Sequence, residues 1–529
     1  MVARQLGVLA VVGAALAVLV SDLHPASDPY RGGMIAGPYS YLLASSTDLG
    51  PSHRATTQLT AALRDAVRPE ALIGWADHNG LAVRWKPGDD WAIVEGAAEE
   101  VASAFGVEVH DYRGMRGQVF YASPQQPQIP EPLRGEVAEL GRILGYTPHR
   151  TNRPDFIPLD VPDKGLTPAA LRNTYNLGKL ATDGFTGKGT TIVFFAFDGF
   201  DQADLDTFAT MYRLPKFTPT LVGGQPSEPH GETTMDLEVA HAIAPDAAKV
   251  VINARPTVQG DGAFEKIAQM FDSADRQFPG AVWSFSIGWG CDKLHTAADL
   301  APVRSALRTA HSHGTSAFNA SGDLAGLECR GGQDWSSPPG PADVGLDSVA
   351  SLPEMTDVGG TTLSTDANGV WLAEQTWFDV PLSQGTGGGV SSLFDRPDWQ
   401  RDVAPHLDPG KRLTPDVAAV ADPFTGVRIV LNQQEVVGGG TSQSAPIWAG
   451  MAAVMNQYLI SNGGRALGDL NPVLYRIARG APLPGFRDIT LGGNAVADAG
   501  PGYDMVTGLG TPDVDNLVRN VLVLQKAAR

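Results

Sequence analysis

Cysteine is almost missing: the chain of 529 residues has two, Cys291 and Cys329. Two thiols cannot build a disulfide-stapled fold and are too few for a structural zinc cluster. They leave either one disulfide or two buried thiols. Basic residues are in deficit, 39 against 58 acidic, for a formal net charge of −19. Charge of that sign argues against a phosphate backbone, and so against nucleic acid, as the main partner. Long apolar runs are scarce as well. A membrane-spanning helix needs about 20 apolar residues; the runs from Leu6 to Val20 and from Leu517 to Leu524 are both shorter.

What is present is globular. Hydrophobic residues make up 43% and charged residues 18%, which excludes a wholly disordered or collagen-like chain. Gly (61) and Pro (39) are abundant, so many tight turns are expected. Arg4 ahead of the Leu6–Val20 run, closed by Ser21, Asp22 and His24, reads as an export signal over residues 1–21. No A-x-A cleavage site follows, so an uncleaved anchor is the alternative. The protein is expected outside the cell, secreted or anchored at the outer face of the membrane.

The chain divides by composition. Residues 22–147 read as a small α+β unit. It has helical spacing over 55–67 and 97–105, and short strands over 81–85, 91–94 and 118–122. Residues 148–166, with Pro148, Pro154, Pro158 and Pro162, have linker composition and suit proteolytic release. Residues 167–529 form the large unit. Thr190 to Phe197 is a continuous apolar run, as in a strand buried on both faces. Alternating helices and strands follow, predicting an α/β doubly wound parallel sheet.

Four segments could carry chemistry. Gly438-Gly439-Gly440-Thr441-Ser442-Gln443-Ser444-Ala445-Pro446 leads into an apolar helical stretch. A glycine-rich turn into a helix places Ser442 at the positive helix end, where developing negative charge is stabilised. An ordinary N-cap serine would look the same. Glu232 and Asp236 lie four apart, on one helix face. Two carboxyls so close resist double ionisation, so one holds a proton. That suits a base working in acid, though a solvated acidic helix start has the same spacing. Ser321-Gly322-Asp323 follows the strand 316–320, and a protonated Asp323 could donate to an oxyanion. Alone, it is equally a turn aspartate. Finally, Asp488-Ile489-Thr490 with Gly500-Pro501-Gly502-Tyr503-Asp504 suits a hard cation such as Ca²⁺.

In this order, the four segments resemble the sedolisin family of serine-carboxyl peptidases, from about residue 56 to residue 517. Trp75, Trp85, Pro87-Gly88 and Gln128-Ile129-Pro130 resemble the family's activation propeptide. The resemblance implies a subtilisin-like doubly wound catalytic domain preceded by an α+β propeptide. It implies Ser442 as nucleophile, Glu232 as general base, Asp236 as its orienting partner and Asp323 in the oxyanion hole. It implies one Ca²⁺ held by Asp488 and Asp504 with the carbonyls of Ile489, Gly500 and Gly502. Ser286, Gly288, Trp289 and Gly290 would bind an extended polypeptide substrate by strand addition. The propeptide would act as intramolecular inhibitor and chaperone, and a monomer is expected. A free glutamate titrates at about 4.3, so an acid optimum follows.

Two alternatives stand. A subtilisin-like Asp-His-Ser protease would use Asp198, His230 and Ser442. A non-catalytic secreted protein would keep the fold as a binding surface.

Overall fold

A computed structural model of the chain describes residues 32–115, 117–146, 157–158, 165–226, 231–331, 339–380, 383–405, 407 and 410–527. The signal or anchor expected over 1–21, most of the linker, and His230 lie outside these residues. Among the described residues no helix is long and apolar enough to cross a membrane.

Alternation wins over helical spacing at the start of the small unit. The expected helix over 55–67 is a strand, β1 (Thr57–Leu63). Thr57, Leu59, Ala61 and Leu63 are buried on one face, and both edges of the strand are paired. Ala and Leu favour helix in isolation, but pairing with two neighbours decides the conformation. The helix follows instead as α1 (Glu70–His78). Then come β2 (Ala82–Arg84), β3 (Trp91–Gly96), α2 (Ala98–Phe105) and β4 (Val137–Leu140). The sheet order is β2-β3-β1-β4, all antiparallel.

The large unit is built on a mostly parallel sheet. Its elements begin with β5 (Thr191–Ala196), α3 (Gln202–Met211), β6 (Thr220–Val222) and α4 (Glu232–Ile243). Next are β7 (Ala248–Asn253), α5 (Ala263–Gln277), β8 (Val282–Phe285), α6 (Ala301–Ser312) and β9 (Ser316–Ala320). Then come β10 (Thr356–Thr365), β11 (Trp371–Thr376), β12 (Val417–Val420), α7 (Thr441–Ser461) and α8 (Val514–Ala527). The order is β6-β7-β5-β8-β9-β10-β11, with β12 also on β10 and only β11 antiparallel. α4 and α7 cover one face of the sheet, and α5 and α6 cover the other. Cys291 and Cys329 form a disulfide joining the segments that follow β8 and β9.

The small unit docks on the α5–α6 side. Arg84 Nη2 meets Glu265 at 2.9 Å, Arg308 meets Asp90 at 2.5 Å, and the Arg142 amide donates to Asp299 at 2.9 Å. Between the units lies a cavity of about 50 Å³, lined by Gln58, Thr60, Tyr121, Arg142, His295 and Asp299 among others.

Candidate active site

Three strands of the parallel sheet deliver their C-terminal ends to one place, as open α/β sheets do. Asp198 lies just past β5, Ser286 just past β8 and Asp323 just past β9. Two helices bring their N-termini to the same place: α4 begins at Glu232 and α7 one residue before Ser442. Both helices start from glycines at positive φ, Gly231 at 105° and Gly440 at 84°. At Gly440 the need is also steric: a Cβ there would lie 2.9 Å from Asp323 Oδ2.

Ser442 is 1% exposed. Its backbone carbonyl would ordinarily accept from residue 446, but that residue is Pro446, which has no N–H. Ser286 stands in: its hydroxyl lies 3.3 Å from the Ser442 carbonyl and 3.0 Å from Asp236 Oδ1, with its one proton within reach of either acceptor. One proline thus leaves a hydrogen bond that ties the serine helix to the carboxyl pair.

Among the described residues Glu232 and Asp236 meet no cation. Both Glu232 oxygens are shut off from solvent, with the Ser442 hydroxyl as their neighbour. Burial raises the Glu232 pKa well above the usual glutamate range. Asp236, Asp198 and Asp323 add repulsion, and the neighbouring Ser442 hydroxyl pulls the other way. Asp236 is raised by burial too, offset by the Ser286 hydrogen bond and reinforced by Asp198. The pair is an acid-holding site, able to take a proton from a neighbouring hydroxyl and return it.

Asp323 is oriented by Thr441, whose amide and hydroxyl each donate to Asp323 Oδ1 at 2.8 Å. The same hydroxyl accepts from the Gly322 amide at 3.1 Å. Oδ1 is therefore an acceptor, and a proton on this acid belongs on Oδ2. Sequence reasoning missed Thr441, although its place beside Ser442 at a helix N-terminus was the available signal.

The strand expected over 286–290 ends earlier, at Phe285, and 286–290 continues beyond it. The Ser286 hydroxyl is turned inward, as described. The Trp289 indole is fully buried, stacked against Phe285 and edge-on to Phe197. The Trp289 amide donates to Asp347, and the Gly290 carbonyl accepts from Ser348 at 2.9 Å. The Ser286 and Trp289 side chains thus face inward, whereas Gly288 and Gly290 stay half-exposed. Asp347, which burial pushes up to about 7, braces this segment.

The C-terminal loop draws Asp488 and Asp504 together through its own amides. Gly502 donates to Asp488 Oδ2 at 2.8 Å and Gly500 to Asp504 Oδ2 at 3.1 Å. Among the described residues neither carboxyl joins an ion pair. Burial raises Asp504. Ile489 is 1% exposed, yet among the described residues its carbonyl accepts no hydrogen bond, nor do those of Gly500 and Gly502. Such an all-oxygen set without a counter-ion fits a hard divalent cation.

This arrangement is that of a serine peptidase on an α/β fold. Residues 53–139 match the family model described as Pro-kumamolisin, activation domain. Kumamolisin from Bacillus sp. (strain MN-32) is 31% identical over 451 residues, covering 80% of this chain and 77% of that protein. Human tripeptidyl-peptidase 1 is 28% identical over 458 residues, covering 79% and 76%. The solved structure of Pseudomonas sedolisin, a serine-carboxyl proteinase complexed with pseudo-iodotyrostatin, aligns with a TM-score of 0.57 at 26% identity. That alignment covers 68% of this chain and 98% of the sedolisin chain. The chain belongs to the sedolisin family of serine-carboxyl peptidases and carries the family's activation propeptide.

Proposed function

We propose that this peptidase works in acid through Ser442, Glu232, Asp236 and Asp323. The observation that carries the reading is a buried carboxyl pair beside a buried serine, with no cation among the described groups acting on either acid. Ser442 Oγ attacks the scissile carbonyl carbon while its proton passes to Glu232. Asp236 shares the charge of the pair and keeps Glu232 basic enough to accept it. The oxyanion receives a hydrogen bond from a proton on Asp323 Oδ2. Collapse breaks the C–N bond, and the Glu232 proton goes to the leaving amine, leaving an acyl-enzyme on Ser442. Water then attacks the acyl carbon and gives a proton to Glu232; the bond from Ser442 Oγ to the acyl carbon breaks, the carboxylic acid product leaves, and Ser442 Oγ takes the proton back from Glu232. At neutral pH an ionised Asp323 repels the oxyanion; in acid it donates.

Gly288 and Gly290 offer backbone to an extended polypeptide substrate. One Ca²⁺ is held by Asp488, Asp504 and the carbonyls of Ile489, Gly500 and Gly502, where it neutralises loop charge and stiffens the segment leading to α8. The protein is exported, by a signal over residues 1–21 or an anchor there, and acts as a monomer. The propeptide, residues 22–147, restrains the enzyme until the linker over 148–166 is cut by the enzyme itself, releasing residues 167–529. In support of self-processing, Ile157–Pro158 pairs antiparallel with Val436 and Val437, directly before the Gly438–Gly440 turn.

The test is peptide hydrolysis against pH, from acid to mildly alkaline, on acid-incubated protein beside Ser442→Ala, with a gel following the precursor. An acid optimum and linker cleavage, both lost in Ser442→Ala, are expected. A neutral optimum overturns the Glu232 mechanism. No turnover anywhere, with an intact precursor, favours a binding protein.

A further inference from the structure

Asp198 is buried at 5% exposure, lies beside the reacting groups, and has no part in the steps above. Its neighbour across the site is the start of α4. That helix begins at Gly231, which has no side chain to cap the first amides. Uncapped amides at a helix start need a partner. Asp198, from the end of β5, supplies it. Asp198 Oδ2 accepts from the Glu232 amide at 3.1 Å, and Oδ1 accepts from the Thr233 amide at 3.0 Å. Thr233 Oγ1 closes the clamp at 2.6 Å to Oδ1 and 3.0 Å to the Asp198 carbonyl.

We propose that Asp198 is a positioning residue for Glu232: its carboxyl clamps the first turn of α4 and sets a further carboxylate beside the Glu232–Asp236 pair. The inference rests on the mechanism proposed above. Only aspartate suits the place. A short side chain must offer two acceptor oxygens to two amides, and asparagine would turn an N–H toward one of them. The clamp acts on the backbone of the residue that must accept the serine proton, so a small slip there moves the base itself.

The electrostatic part follows from the surroundings. The groups acting on Glu232 are Asp236 on its own helix, Asp198 after β5, Asp323 after β9 and the Ser442 hydroxyl on α7. Those acting on Asp236 are Ser286 after β8 and Asp198. Asp198 is thus the one carboxyl outside the helix that bears on both members of the pair. Its charge opposes their ionisation, which keeps the shared proton in place to a higher pH.

The experiment is kcat and KM against pH for acid-activated wild type, Asp198→Asn, Thr233→Val, Glu232→Gln and Ser442→Ala, with Tm recorded for each. Asp198→Asn removes the charge and one acceptor. Its acid limb should move to lower pH by about half to one unit, with kcat reduced roughly tenfold and KM little changed. Thr233→Val keeps the charge and loses the hydroxyl bond. It should lower kcat several-fold, roughly 3–10, with the acid limb unmoved. A residue that only stabilises the fold would lower Tm without moving the limb. An unmoved limb in Asp198→Asn overturns the charge role. If that variant does not fold, wild-type kcat in Thr233→Val overturns the clamp. Should Asp198→Asn behave as wild type while Glu232→Gln and Ser442→Ala are dead, the mechanism stands and this inference fails. Should Glu232→Gln stay active, the mechanism itself fails.

Discussion

Two clusters of buried carboxyls sit in this catalytic unit, and they are satisfied in opposite ways. Under the sheet, Asp416 is held by Arg412, with Nη1 to Oδ1 at 2.8 Å and Nη2 to Oδ2 at 2.6 Å. Tyr475 donates to the same Oδ1 at 2.9 Å, and the Asp357 amide to Oδ2 at 2.9 Å. Arg412 is fully buried and lies over the Trp399 ring. At the ends of the strands, Glu232 and Asp236 meet no cation among the described residues, and their hydroxyl neighbours are Ser442 and Ser286. A buried bidentate pair is a structural solution with every charge answered. A buried unpaired couple stays protonated and waits for a reaction to use it. Burial is common to both, so burial alone does not distinguish them; the two clusters differ in whether a cation answers the charge.

The largest effect should come from breaking the reactive cluster. Glu232→Gln and Ser442→Ala should each lower kcat by about 10⁴ or more, with Tm unchanged or raised. Activity assays paired with thermal melts would read both. Breaking the paired cluster should do the reverse. Arg412→Met leaves Asp416 buried without its cation and should cost about 3–5 kcal/mol of stability. Catalysis should then fall only in step with the folded fraction, measured by denaturant unfolding.

A third variant sharpens the contrast at the oxyanion. Asp323→Asn keeps a donor at all pH values but lacks the proper acid and its Thr441 geometry. We expect kcat about 10²-fold lower and the basic limb of the pH–rate profile lost. An unchanged basic limb would remove Asp323 from the pH response. Thr441→Val should move that limb to higher pH, because a donor to the ionised carboxyl is lost.

Stability against pH should separate the clusters more gently. The folded-state pKa values of Glu232 and Asp236 are raised, so the folded state holds protons that the unfolded chain releases. Stability should therefore fall as pH rises from about 4 through the folded pKa values. On a Ser442→Ala background, Glu232→Gln should flatten that slope, and melts across pH would show it.

The smallest effect concerns the propeptide contact. His295 faces the inter-unit cavity, and burial first, then Arg142, depresses its pKa to about 3. Undocking frees it to titrate near 6.5, so acid between those values favours release. Asp299, raised to about 6 by burial, works against this. In Ser442→Ala precursor, His295→Phe should shift the midpoint of linker cleavage by added mature enzyme down by about half a pH unit. No shift would leave the pH response to other contacts.

Much of the catalytic unit was legible in residue order. Thr190 to Phe197 could only be a doubly buried strand, and β-α alternation then implied parallel order. Ser442, Glu232, Asp236 and Asp323 could be singled out because each sits on a short local motif, but each motif alone had an ordinary structural reading, and their order along the chain carried the resemblance. The strand at Thr57–Leu63 was not legible, since its Ala and Leu residues favour helix until two partner strands claim them. The inward turn of Ser286 and Trp289 was hidden for a similar reason. It depends on Asp347, Ser348 and Asp236, from distant parts of the chain.

Asp198 shows where the division falls. Its neighbour Gly199 and its place after a strand suggested a protease triad, and sequence had no means to choose its partner. Local order by itself determined the glycine turn that leads into the Ser442 helix and the i,i+4 face shared by Glu232 and Asp236, because backbone sterics and helix periodicity act over a few residues. Tertiary structure decided which carboxyls meet a cation, which meet only one another, and which amides Asp198 caps. Those outcomes depend on desolvation and hydrogen bonds between segments tens to hundreds of residues apart, about which composition and periodicity are silent.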